Sequence, residues 1–201
     1  MDLVFVLFYE DKITKGDNFM KKISRIVTLM LMLLFLSACS FATNVDKKDF
    51  EICVSKCVGA DALLPSVADV VNNDRFSYKF YEDNGAFYSC GIVVTEEIEK
   101  ENFSEKKKQI DELYDYLDEP VYNSYLGMNT VPQVEFEIDN YVFRVIDKEN
   151  ETYGYPNSLG MIATSESESK ILYFAFYSQD LDYIEDMGEF VEKNFPQWNE
   201  Y

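Results

Sequence analysis

Histidine is absent from this chain. That excludes Ser-His-Asp and Cys-His nucleophilic catalysis and histidine-ligated zinc, and leaves carboxylate and lysine chemistry open. Basic residues are scarce, 18 against 37 acidic ones, for a net charge of −19. Residues 1–38 already hold Lys12, Lys15, Lys21, Lys22 and Arg25, so the acid excess lies downstream of Cys39. A surface so acidic opposes nucleic acid, whose binding rests on basic contacts to phosphate, and opposes flat docking on anionic lipid. Tryptophan occurs once, at Trp198, and proline only five times. Long apolar runs are missing: the longest, Ile26 to Ala38, falls short of the roughly 20 residues a spanning helix needs. Four cysteines are present, Cys39, Cys53, Cys57 and Cys90; the last three are an odd set, so at most one bridge forms among them.

What is there begins near residue 20. Lys21, Lys22 and Arg25 precede the apolar run Ile26 to Leu36, which closes on Leu36-Ser37-Ala38-Cys39. A basic region, an apolar stretch and small residues before a cut make a secretory signal. With cysteine after the cut, the pattern resembles the lipobox of bacterial lipoproteins. That resemblance implies cleavage before Cys39, a thioether-linked diacylglycerol on its sulfur, and a protein held on the outer face of the cell membrane. Residues 20–38 then form the signal peptide, residues 39–45 a lipidated tether, and residues 46–201 the globular domain. Residues 1–19 read as an extension from a mis-set start codon. Lys15-Gly16-Asp17-Asn18-Phe19 can be encoded by a purine-rich ribosome-binding sequence just before the Met20 codon.

Within 46–201 the periodicities give an order of elements. Asp46 can cap a helix whose stripe is Phe50, Cys53, Val54, Cys57 and Val58, with Gly59 at its end. A short helical turn follows at Ser66 to Val71. Arg75 to Tyr81 alternates apolar and polar, Asp83-Asn84-Gly85 is a hairpin turn, and Ala86 to Thr95 returns. Asn102-Phe103-Ser104-Glu105 reads as a capping box, opening a helix with Phe103, Ile110, Leu113, Tyr114 and Leu117 on one face and an end near Pro120. Gln133 to Ile138, a turn at Asp139-Asn140 and Tyr141 to Ile146 make a second hairpin. Gly160 to Thr164 is a strand, and the unbroken apolar run Ile171 to Tyr177 is a central one. Ser178 caps a last helix carrying Leu181, Ile184, Met187, Gly188 and Val191. The order α-β-β-α-β-β-β-β-α, dominated by hairpins, predicts a single α+β domain: a mostly antiparallel sheet with helices packed against it.

Candidate sites are few. Cys53 and Cys57 stand at i, i+4 on an apolar stripe, where thiols behave as small hydrophobes, so buried unreactive thiols are the first expectation for Cys53, Cys57 and Cys90. A bridge from Cys53 or Cys57 to Cys90 is the second, and a three-thiolate metal site the third. The acidic clusters Glu96/Glu97/Glu99, Asp111/Glu112/Asp115/Asp118/Glu119 and Asp180/Asp182/Glu185/Asp186 match no EF-hand loop and read as solvated helix faces and caps. Glu135 and Glu137 point the same way from one strand, about 6.6 Å apart. That spacing is compatible with a carboxylate pair in glycoside hydrolysis, but an outward polar sheet face explains them without any chemistry. Among the aromatics Tyr81, Tyr88, Tyr153, Tyr155 and Tyr177 could form a binding face. The loop pair Tyr153 and Tyr155 is the best candidate, because loops carry function disproportionately.

Leu63-Leu64-Pro65-Ser66, Phe136-Glu137-Ile138, Tyr141-x-Phe143-Arg144 and Ser178-Gln179-Asp180-Leu181-Asp182-Tyr183 also resemble stretches of lipoproteins of monoderm bacteria with no assigned activity. The resemblance implies a lone α+β domain and nothing of mechanism. The expectation is therefore a lipid-anchored extracellular binding or interaction module of the cell envelope. It has no catalytic residue, cofactor or metal, its anchor in the bilayer is Cys39, and its partner is an envelope glycan or protein. The alternative is a carboxylate-dependent envelope hydrolase.

Overall fold

The structure, a computed structural model, describes residues 41–43, 46–147 and 155–200. Residues 20–38, expected to be a signal peptide, and Cys39 and Tyr153 lie outside the described residues, as do the side chains of 41–43. The elements in chain order are β1 (Phe41–Thr43), α1 (Phe50–Lys56), α2 (Val67–Asn72), β2 (Phe76–Asn84) and β3 (Tyr88–Glu97). They continue with α3 (Phe103–Leu113), β4 (Val121–Asn123), β5 (Met128–Val131), β6 (Glu135–Ile138) and β7 (Tyr141–Val145), then β8 (Ser158–Ser165), β9 (Lys170–Ser178) and α4 (Met187–Asn194).

Seven strands form one sheet in the order β1-β2-β3-β9-β8-β7-β6, every neighbouring pair antiparallel. This is the α+β architecture of the sequence reading. The run Ile171 to Tyr177 lies in β9, fourth of the seven. Its content follows from its place, because both faces are covered. Ile171, Tyr173 and Ala175 pack with Phe50, Leu63, Val70, Phe103 and Ile110 on the face carrying α1, α2 and α3. Leu172, Phe174 and Phe176 pack with Phe190, Val191, Phe195 and Trp198 on the face carrying α4 and the C-terminal turn. A strand buried on both sides has no position left for a polar residue, hence the unbroken apolar stretch.

The aromatic excess fills the second face. Phe174, Phe176, Phe190 and Phe195 meet edge to face at centroid distances of 4.9–6.4 Å. Phe195 also leaves no room above β3, where a Cβ on Gly91 would stand 2.6 Å from its ring. On the opposite face the Leu63 side chain occupies the space beside Gly160 in the same way.

Several boundaries differ from the sequence reading. The helix after Asn102 ends at Leu113, not near Pro120, and Leu113 is exposed. Tyr114 turns extended, the amide of Leu117 bonds the Val145 carbonyl, and Tyr116 bridges Ile146. Pairing with β7 therefore ends the helix before proline can. The capping box does not form either: the Asn102 side chain donates to Glu99 instead of accepting from the helix. Ser178 is the last residue of β9 and caps no helix; α4 starts nine residues later behind Asp186, whose carboxylate accepts from the Glu189 amide. Residues 179–186 are held in irregular form, with the Ile184 amide bonded to the Thr130 carbonyl of β5. The β4–β5 hairpin was not anticipated. Part of the tether reading also changes, since Phe41–Thr43 pair with Glu82, Tyr81 and Phe80 as an edge strand.

Candidate functional site

The sequence candidates are scattered. Tyr155 is half-buried, and its hydroxyl donates to the Ile146 carbonyl at 2.6 Å. Glu135 and Glu137 are exposed on the edge strand β6 and line neither cleft described below; Glu135 lies 3.6 Å from Arg144. Tyr81, by contrast, is buried in the second-face core.

The thiol expectation is corrected. Cys57 and Cys90 form a disulfide, their Cα atoms 5.8 Å apart, and Cys53 alone is a free, buried thiol. The cause is local. Cys57 is the residue on which α1 ends, with an extended backbone, so it leaves the helical stripe and meets β3. Cys53 stays on the stripe beside Tyr78, and burial pushes its thiol pKa up. Among the described residues no group of three or more cysteine or carboxylate side chains is arranged to hold a metal ion.

Two places gather chemistry. The first is Glu96, near the end of β3. It is 5% exposed, an unusual setting for a carboxylate. Lys106 of α3 lies 2.7 Å from one of its oxygens, and the Tyr173 hydroxyl donates to the other at 2.8 Å. Burial, and then the adjacent carboxylate, push the Tyr173 pKa far up and that of Tyr114 up to about 12. A cavity of about 300 Å³, lined by Arg75, Glu96, Asn102, Glu105 and Lys106, opens beside it. Both carboxylate oxygens are occupied and both partners come from packed elements. The arrangement is therefore a locked polar pin between β3, β9 and α3 rather than a poised acid or base.

The second is larger. An open cleft of about 560 Å³ lies between the β2–β3 turn, the 178–186 segment and α4. Phe176 and Phe190 of the second-face core reach its floor, and Leu181, Ile184, Phe87 and Tyr183 line it. Phe87 is 55% exposed and Tyr183 39% exposed, in positions where each ring can meet a ligand. Asp83, Asp180, Glu185, Asp186 and Glu189 stand around it against a single cation, Lys193. Asp83 is engaged by the Gly85 amide and Asp186 by α4. Asp180, Glu185 and Glu189 make no ion pair among the described residues, and Glu185 accepts a hydrogen bond from the Tyr183 hydroxyl at 3.4 Å.

Comparison with protein-family models, curated proteins and solved structures finds nothing that matches this chain.

The helical stripe of 178–186 puts Asp180, Glu185 and Asp186 on a helix face or cap in the sequence reading. Phe87 was passed over inside a strand. An aromatic two residues after Asn84-Gly85, where turn residues are normally polar, was the available signal.

Proposed function

We propose that this chain is a lipid-anchored, extracellular binding module of the cell envelope, and that its ligand sits in the cleft between the β2–β3 turn and α4. One observation carries the reading: the cleft combines exposed rings with polar groups that converge on it, at a volume typical of ligand sites. The Glu96 cavity has no aromatic ring in its lining, and its buried carboxylate is already held by Lys106 and Tyr173.

The anchor reading rests on the lipobox, and the sheet gives it a consequence. Phe41 pairs with Glu82 and Thr43 with Phe80, so the chain enters β1 from the end of the sheet that holds the β2–β3 turn. Cys39 precedes Phe41 by two residues, a reach of about 7 Å at most.

Two measurements test the proposal. Cys39→Ala should move the protein from the membrane fraction to the soluble one; unchanged fractionation removes the anchor. Amide chemical-shift mapping of the full chain against a fragment set of mixed charge should perturb residues 83–89 and 178–190. Perturbations gathered around Glu96 would contradict the cleft, and envelope-glycan turnover abolished by a single carboxylate substitution would replace the binding reading with the hydrolase.

A further inference from the structure

We infer that the cleft takes a cationic amphipathic peptide segment: lysine or arginine side chains against its rim and aliphatic side chains against its rings. The inference rests on the binding reading above and names the ligand that reading leaves open.

Charge complementarity makes the choice. Asp180, Glu185 and Glu189 line the cleft without a cation to neutralise them among the described residues, and Lys193 is the lone basic residue of the lining. Three unmatched carboxylates around one concavity focus a negative potential there, which draws in cations and repels anions. The floor is not acidic. Phe87 and Tyr183 offer ring faces, to which an ammonium or guanidinium is attracted. Half-buried Leu181, over the buried Ile184 and Phe190 of the floor, adds apolar surface that a fully hydrated cation would not use. The ligand must therefore be cationic and apolar together.

Size decides between a segment and a folded partner. A cleft of about 560 Å³ admits a few side chains and no domain. A bare divalent cation fits the charge but not the rings, and no metal-holding group of carboxylates exists among the described residues. Cationic amphipathic peptides also concentrate on anionic bilayers, the surface on which a lipid-anchored module would meet them.

Isothermal titration of the full chain tests this with three synthetic peptides of equal length: alternating lysine and leucine, glutamate and leucine, lysine and serine. The lysine–leucine peptide should bind about tenfold or more tighter than either of the others. Glu185→Gln with Glu189→Gln, and separately Phe87→Ala, should each weaken it about tenfold. Glu101→Gln with Glu119→Gln removes the same charge from exposed positions outside the cleft and should leave it unchanged. All these residues are exposed, so an unchanged unfolding midpoint certifies each variant. Equal weakening by the cleft and control pairs would mean that bulk charge alone binds the peptide, and would overturn the inference. So would a glutamate–leucine peptide that binds as well. If the lysine–leucine peptide fails while fragments still perturb residues 83–89 and 178–190, the cationic assignment falls and the binding cleft stands. If fragments map elsewhere too, both fall.

Discussion

Lys106 Nζ lies 2.7 Å from a carboxylate oxygen of Glu96, a residue 5% exposed, and joins α3 to the sheet by a charge pair of which the carboxylate is buried and the lysine partly exposed. Removing one partner of such a pair strands the other. Lys106→Met should cost about 1–2 kcal/mol by denaturant unfolding, less than for a fully buried pair, because Lys106 is partly exposed and Tyr173 still donates to Glu96. Lys106→Met with Glu96→Gln should recover part of that loss, because the stranded charge is gone. A double variant that loses the full sum of the single costs would contradict the coupling.

Gly91 and Phe195 meet where β3 has no room for a side chain. A Cβ at residue 91 would come within 2.6 Å of a ring that is fully buried among Tyr81, Phe174, Phe176 and Phe190. Gly91→Ala should therefore destabilise by about 1–3 kcal/mol through overpacking. Gly91→Ala combined with Phe195→Leu should lose less than the two changes added together. A neutral Gly91→Ala would show that the C-terminal turn does not hold Phe195 there.

The cysteines give a count. With Cys39→Ala, so that only Cys53, Cys57 and Cys90 remain, thiol titration of non-reduced protein should find no fast-reacting thiol in the native state. Denaturation should release one, Cys53, since Cys57 and Cys90 are joined. Burial slows Cys53 twice, by blocking access and by holding its thiol pKa up. Three thiols after denaturation would contradict the bridge.

Alkaline pH should unfold the domain earlier than ordinary phenols would require. Burial, with Glu82 beside it, pushes Tyr88 up to about 12; burial, with Glu96 beside it, does the same for Tyr114. The folded state then keeps protons that the unfolded chain gives up near its ordinary value of about 10. Stability from these groups is complete below about pH 10 and falls as pH rises toward 12. Denaturant midpoints at about pH 9 and about pH 11 should show the drop. Full tyrosinate absorbance near pH 10 in still-folded protein would contradict it.

What could be read in advance follows from what each element depends on. The central strand was legible because two covered faces demand seven apolar residues in a row, and the β2–β3 hairpin because its alternation is local, although its turn is residues 85–87 and Asp83 and Asn84 stay paired in β2. Helix ends were not. α3 stops where the Leu117 amide finds Val145, and 179–186 stays irregular where Ile184 finds Thr130. Both choices are made by partners distant in sequence, which override a helical stripe. The cleft was illegible for the same reason. Phe87 and Glu185 stand far apart in the chain and come to one cavity only because Ser89 pairs with Ser178, which sets the β2–β3 turn beside the segment leading to α4.

Hydrogen exchange of the full chain, read by mass spectrometry with and without the lysine–leucine peptide, tests the central claim most directly. The account predicts added protection confined to residues 83–89 and 178–190, lost in Glu185→Gln/Glu189→Gln. Protection spread over the acidic surface, or centred on α3 and Glu96, would contradict it.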